Sequence, residues 1–209
     1  MSLKRISSWP LLRRILVRLA EWRIEEKIHE LIPNLNLTDY ILDIGSGNGI
    51  LCHALRKRNF KVIPLDVDHL SMIDEVKPVI YDSVCFPFKD SSFDVALLLT
   101  VLHHTQNPPQ VLAEARRVAR RIIVIEEIYS NPIEKYLTYL VDSVFNFEFF
   151  GHPRTNKTDS GWRETFEGIG LTILHASYTR SLLILRRVTY ILASVGLQKA
   201  PARIFGESP

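Results

Sequence analysis

The chain reads as an α/β protein: a doubly wound, Rossmann-like and mostly parallel sheet of seven strands, with helices on both faces and the final strand antiparallel. Three observations predict this. From Tyr40 onward, short β-branched apolar runs alternate with segments of helical period. One of these runs, Phe93–Thr100, is unbroken after Phe93-Asp94, as in a strand buried on both faces. Ile41–Gly49 passes from a strand pattern into glycines at 45, 47 and 49, then into the helix-competent Ile50–Leu55. Small residues at such a turn let a ligand lie against bare backbone.

The elements follow in order. Pro10 suits the first turn of a helix capped by Ser7 or Ser8, with Leu12, Ile15, Leu16, Leu19 and Trp22 at helical spacing. A second helical stretch, Glu25 to Ile32, stops at Pro33, so residues 1–35 form an N-terminal helical cap. Strand one is Tyr40–Ile44, and its helix runs from about Asn48 to Lys57 with Asn59 as C-cap. Strand two is Lys61–Asp66, where Pro64 argues for an edge or a distortion. The link to strand three, Val79–Tyr81, is short and has room for a turn or two of helix around Leu70–Glu75. Strand four is Phe93–Thr100, followed by a helix from about Pro108 to Val118 and strand five at Arg121–Glu126. Residues 129–158 are irregular and rich in aromatics, an insertion or lid. A helix from Ser160 to Phe166 and two strands, Leu171–Tyr178 and about Arg187–Ile191, complete a single domain over 1–209.

Composition narrows the function. Hydrophobic residues make up 46% of 209, enough to bury a sizeable core. Two cysteines, Cys52 and Cys85, exclude a disulfide framework or a Cys-based metal site and suit a reducing cytoplasm. No apolar run reaches membrane-spanning length, and the basic N-terminus lacks the apolar core and cleavage site of a signal peptide. A net charge of +3 is too mild to imply nucleic acid. Residues 1–23 do concentrate Lys4, Arg5, Arg13, Arg14, Arg18 and Arg23 against Glu21. That helix could touch an anionic membrane surface or RNA. The favoured reading is a solvated helix with its apolar stripe on the domain. His152, Asp159 and His175 are scattered, and no metal site is read from them. Nothing in the chain fixes its oligomeric state.

Ligands in such a sheet bind beyond the carboxyl ends of the strands. The first end gives Asp43 and Gly45, Ser46, Gly47, Asn48 and Gly49; the second gives Asp66, an acid able to accept two ribose hydroxyls. The third gives Asp82 and Ser83, and the fourth Leu99, Thr100 and, further on, His103 and His104. A dinucleotide fold wants G-x-G-x-x-G, but position 50 is Ile. The G-x-G-x-G run behind Asp43 instead resembles motif I of the class I S-adenosylmethionine-dependent methyltransferases. Phe86-Pro87-Phe88, Ser91-Ser92-Phe93-Asp94-Val95 and Leu102-His103-His104 resemble the strand-four signature of its small-molecule group. The Pro-Gly-Gly turn usual before strand five is absent, replaced by Val118-Ala119-Arg120-Arg121.

This resemblance implies S-adenosylmethionine as cofactor and S-adenosylhomocysteine as product. Asp43 and Gly45 to Gly49 would hold the methionine part. Asp66 would hold the ribose, with Val67 against the adenine and Asp82 and Ser83 at its amine. Leu99 and Thr100 would line the methyl-bearing end. His103 or His104 could act as general base at the acceptor. Tyr136, Tyr139, Phe145 and Phe149 would cap an apolar or aromatic substrate. The leading reading is therefore a methyltransferase for an O, N or C nucleophile of a small molecule. Alternatives are a methyltransferase for RNA or protein, and a non-catalytic cofactor-binding module. Asn107-Pro108-Pro109 resembles the N-P-P motif of nucleobase amino-methyltransferases but lies too late after strand four; it reads better as a helix cap followed by first-turn prolines.

Overall fold

A computed structural model describes residues 10–146, 155–181 and 185–194. Helix α1 (Pro10–Leu31) leads through a short 3-10 turn (Ile32–Asn34) into β1 (Tyr40–Ile44), α2 (Ile50–Lys57), β2 (Lys61–Asp66) and β3 (Val79–Ile80). Then come β4 (Phe93–Leu99), a 3-10 turn (Leu102–His104), α3 (Pro108–Val118), β5 (Ala119–Ile128) and α4 (Pro132–Asn146). Helix α5 (Asp159–Gly168), β6 (Leu171–Ser181) and β7 (Leu185–Ser194) complete the order. The seven strands run β3-β2-β1-β4-β5-β7-β6. Strands β3, β2, β1, β4 and β5 pair in parallel, and β7 is antiparallel to both its neighbours, β5 and the edge strand β6. The strand order reverses direction between β1 and β4, the switch point at which doubly wound sheets bind ligands.

Strand alternation divides the core. Ile41, Val62, Val95, Leu97, Ile123 and Ile125 face one side, under Ile28 and Leu31 of α1 and Leu51, Cys52 and Leu55 of α2. Leu42, Ile44, Ala96, Leu98, Ile122 and Val124 face the other, under Leu112 and Ala115 of α3 and Trp162 and Phe166 of α5. Each strand between β2 and β7 is thus buried on both faces, which is why β4 carries no polar residue after Asp94.

Several boundaries form as the residues dictate. Asn59 adopts φ 66, and the N–H groups of Asn59 and Phe60 bond the carbonyls of Arg56 and Leu55 at 3.0 and 3.1 Å. This closes α2 as a Schellman turn with Asn in the usual glycine place. Asn107 caps α3 by accepting the N–H of Gln110. Pro64 sits where β2 is itself an edge, because β3 pairs only with Leu65 and Asp66.

Four expectations are corrected. The N-terminal stretch is one continuous helix, since Arg23-Ile24-Glu25 holds nothing that breaks one. Trp22 is exposed; the stripe that packs is Ile24, Ile28 and Leu31. No helix forms around Leu70–Glu75. There Ser71 Oγ bonds the Ile73 N–H and carbonyl, and the Met72 N–H reaches Asn48 O at 2.9 Å, so the link folds over the glycine loop instead. Within the aromatic segment, Pro132–Asn146 is a regular helix.

Helix α1 is clamped at its C-terminal half. Arg187, buried on β7, donates to Glu30 Oε1 at 2.9 Å and to Glu26 Oε2 at 3.4 Å. The hydroxyls of Thr179 and Thr189 donate to the two Glu30 oxygens at 3.0 and 2.8 Å. Removing one member of a buried ion cluster strands the other. Glu30→Ala should therefore lower stability by about 3 kcal/mol, read as a drop in the urea midpoint at unchanged slope.

Candidate active site

The glycine loop leaves β1 in the left-handed region: Gly45 has φ 69, Gly47 φ 49 and Gly49 φ 77. The three have different neighbours. A Cβ on Gly45 would meet Val101 at 2.6 Å, and one on Gly49 would meet Ser71 Oγ at 2.5 Å and Val76 at 3.1 Å. A Cβ on Gly47 would meet only Gly45 O, at 3.9 Å. Gly45 and Gly49 are small because protein packs against them. Gly47 borders open space.

The loop is held by β2. The Gly45 and Ser46 N–H groups donate to Leu65 O at 2.8 and 3.1 Å. Asp66, buried, accepts the Gly47 N–H on Oδ2 and its neighbour Val67's N–H on Oδ1, each at 2.7 Å. A carboxylate has about four acceptor sites, so both oxygens keep capacity for a ligand's hydroxyls. Val67 itself presents an exposed apolar side chain beside them. Asp43 is buried on the α1/α2 face of β1, in line with Ile41. Burial, then the nearby Asp66 charge, pushes its carboxyl up to about 7. Among the described residues, Asp43 Oδ2 and Ser46 Oγ are buried with no hydrogen-bond partner.

Asp82 lies on the exposed outer loop after β3. Its Oδ1 accepts the Cys85 and Val84 N–H groups at 3.0 and 2.9 Å, which hold its carboxyl below the ordinary range. Ser83 takes φ 67 beside it.

Beyond β4, Leu99 is buried and Thr100 adopts φ 54, a strained conformation for a β-branched residue, costing on the order of 1–3 kcal/mol. Three bonds enforce it. Its N–H reaches Ile125 O at 2.7 Å, its hydroxyl donates to Leu99 O at 2.7 Å, and Lys27 Nζ donates to that hydroxyl at 2.8 Å. The next turn is gripped by Glu126, fully buried at the end of β5. Its Oε1 accepts the Val101 and Leu102 N–H groups at 3.0 and 2.8 Å, and its Oε2 lies 2.6 Å from His103 Nδ1. His103 is wholly buried, and half-buried His104 stacks on it with ring centroids 4.2 Å apart.

The sheet thus gathers Asp43, the glycine loop, Asp66, Val67, Leu99 and Thr100 at one corner, with the histidines behind β4 and Asp82 and Ser83 at the outer edge. The aromatic candidates stand on the far side of β5. Tyr136 is exposed on α4 and meets Tyr139 edge to face at 6.3 Å. Phe145 lies on α4 with its side chain outside the described part, and Phe149 lies outside the described residues. Sequence reasoning missed Lys27 and Glu126. Lys27 occupies an apolar-stripe position between Ile24 and Ile28, which was a readable signal. Glu126 could have been read as the acid ending strand five.

The raised Asp43 pKa carries a sign. A carboxyl whose folded pKa exceeds its unfolded value favours the fold below the unfolded pKa of about 4, and that advantage is lost as pH rises through about 7. Asp43→Asn, which cannot ionise, should therefore gain melting temperature relative to the parent as pH rises from 5 to 8. Thermal melts of the ligand-free pair across that range check it.

The residues fit S-adenosylmethionine. Of the three loop glycines only Gly47 borders open space, Asp66 retains acceptors for a ribose, Val67 offers an apolar surface, and the buried polar atoms of Asp43 and Ser46 lie at the same corner. Residues 42–122 match the methyltransferase domain family. The uncharacterized protein MJ1123 of Methanocaldococcus jannaschii is 31% identical over 80 residues, 38% of this chain and 39% of that protein. The matched stretch thus spans about two-fifths of the length of that relative. Magnesium protoporphyrin IX methyltransferase from Synechocystis, solved with S-adenosylhomocysteine, superposes with a TM-score of 0.61 at 17% identity, covering 86% of both chains. A SAM-dependent methyltransferase from Methanosarcina mazei superposes at 0.59 and 20% identity, covering 80% of this chain and 96% of its own. With that domain matched across the glycine loop, and that fold around it, the chain is similar to the class I S-adenosylmethionine-dependent methyltransferases.

Proposed function

We propose that the protein moves the methyl group of S-adenosylmethionine to an oxygen, nitrogen or carbon nucleophile of a small molecule of apolar or aromatic character. The observation that carries the reading is the opening over Gly47, bounded by Asp66 on one side and the Asp43 corner on the other. When bound, the cofactor supplies an electrophilic methyl on a sulfonium. The chain's own residues bind and align. Asp66 takes the ribose hydroxyls, Val67 and the Asp82–Ser83 turn meet the adenine, and Leu99 and Thr100 form the floor where the acceptor approaches. Holding nucleophile, carbon and sulfur in line contributes most to the rate, lowering the barrier by on the order of 7–11 kcal/mol. Where the acceptor is a hydroxyl, half-buried His104 takes its proton, and the Glu126–His103 pair fixes the ring it stacks on.

The acceptor class rests on α4. Ile133 and Tyr136 stand exposed on one face, 81% and 70%, with Tyr139 beside them. The far end of the segment is tied to the histidine turn. The Thr155 N–H donates to His103 O at 3.2 Å, and its hydroxyl contacts Leu102 O and Thr105 O at 3.1 and 3.2 Å. Helix α4 follows β5 and Thr155 returns to the turn after β4, which supports a cap over the acceptor end. Magnesium protoporphyrin IX methyltransferase, which shares the fold, is named for a small-molecule acceptor, which supports the same class here. Both cysteines are free thiols, which supports work in a reducing cytoplasm. Among the described residues no helix is long and apolar enough to cross a membrane. A labelled-methyl screen of metabolite extracts, with RNA and protein fractions alongside, identifies the acceptor; label entering only RNA or protein would overturn the small-molecule assignment.

Two variants test the loop and one the cap. Gly47→Val should abolish S-adenosylhomocysteine binding in calorimetry while keeping most of the melting temperature. Gly45→Ala should do the reverse, since its Cβ meets Val101 and not the ligand space. Tyr139→Ala should raise the acceptor's KM or lower kcat and leave cofactor affinity within about threefold, a split that steady-state kinetics separates.

A further inference from the structure

Two hydrogen-bond donors meet around Tyr129, just beyond β5. Lys135 stands in the first turns of α4, half-buried, with its ammonium 5.5 Å from the ring centre of Tyr129 and 5.8 Å from that of Tyr139. Contact with aromatic faces holds an ammonium without neutralising it. Among the described residues no carboxylate pairs with Lys135. Glu134, next to it in sequence, instead accepts the Ser130 N–H at 2.7 Å, and Asn131 Oδ1 accepts the Glu134 N–H at 2.9 Å. These capping bonds fix the start of α4, and Lys135 with it. Asn156 supplies the second donor. It is only 7% exposed, and its Nδ2 is buried with no hydrogen-bond partner among the described residues. A buried amide left unpaired costs free energy, and such groups in folded proteins ordinarily have a partner. Two contacts fix its place. The Thr155 N–H beside it donates to His103 O at 3.2 Å, and the Tyr129 hydroxyl donates to Asn156 O at 3.3 Å. Asn156 therefore lies between the histidine turn and the ring that carries Lys135.

An ammonium and an amide N–H share one complement, an oxygen that carries negative charge. We propose that Lys135 and Asn156 form a subsite for a carboxylate on the methyl acceptor, whose apolar or aromatic body lies against Tyr129 and Tyr139. The acceptor is then an organic acid, anchored at its carboxylate and methylated at another atom. Lys135 supplies the charge and Asn156 the directed bond. The inference deepens the small-molecule reading above and rests on it.

Calorimetry on the full chain saturated with S-adenosylhomocysteine tests this with three probes: 6-hydroxy-2-naphthoate, its neutral carboxamide, and 2-naphthol. Wild type should bind the acid at least tenfold more tightly than the amide or the naphthol. Lys135→Met should weaken the acid tenfold or more and leave the amide within about twofold; Lys135→Arg, which keeps the charge, should recover most of the loss. Asn156→Leu should weaken acid and amide alike, since both present a carbonyl oxygen, and leave the naphthol within about twofold. Equal binding of acid and amide by wild type, or no binding of the acid, would overturn the proposal, and neither comparison needs a variant to fold. So would a Lys135→Met loss shared by all three probes. If S-adenosylhomocysteine itself did not bind, or labelled methyl entered only RNA or protein, the function assigned above would fall and this inference with it, a result distinct from loss of the acid preference alone.

Discussion

The grip of one carboxylate on one loop organises this molecule. Asp66, at the end of β2, accepts the Gly47 and Val67 N–H groups, and so ties the turn after β1 to the strand beside it. Charge-assisted bonds of this kind are about twice as strong as neutral ones. Without them the tie between the left-handed loop and β2 would rest on the Leu65 carbonyl. The same carboxylate is then already oriented when a ribose arrives, so little ordering remains for the ligand to impose. A second carboxylate does parallel work on the other side of β1. Glu126 accepts two N–H groups and the His103 ring, and so fixes the turn that meets Gly45 through Val101. Two buried acids, each capping a loop rather than a helix, define both walls of the switch point.

Much of this was legible in the residues. The parallel core was readable because its strands are uniformly apolar and its helices carry clean stripes; Tyr40–Ile44, Lys61–Asp66 and Pro108–Val118 form with the bounds that the sequence predicts. The glycine spacing marked the loop, and Asn59 and Asn107 marked their helix ends by known cap chemistry. What failed had a common cause. Trp22, the missing helix near Ser71 and the regular α4 all depend on what each segment packs against, and local propensity carries no record of the partner. Lys27 and Glu126 were harder to read for a related reason: charged residues on helices and at strand ends are ordinarily solvated, so the place of Lys27 on the apolar stripe was a signal that its charge outweighed.

The N-terminal helix holds its place through charge as much as through apolar contact. Ile28 and Leu31 seat it on the sheet, but Glu26 and Glu30 fix its position along the sheet against Arg187. A purely apolar seat tolerates sliding by a turn; a buried ion cluster with two threonine hydroxyls does not. Strands β6 and β7 thereby help place α1 over the ligand corner.

The unequal roles of the three loop glycines bear on how such sequences diverge. Gly45 and Gly49 are constrained by the protein's own atoms, Val101 on one side and Ser71 and Val76 on the other. Selection for foldability alone would preserve them in a descendant that had abandoned chemistry. Gly47 has no such internal guardian beyond its backbone conformation. A lineage drifting toward a scaffold role would meet only backbone strain in filling that position, and no clash, while keeping the outer pair and, with them, the outward look of the motif. The middle residue is therefore the sensitive indicator of retained ligand binding, and here it is still glycine.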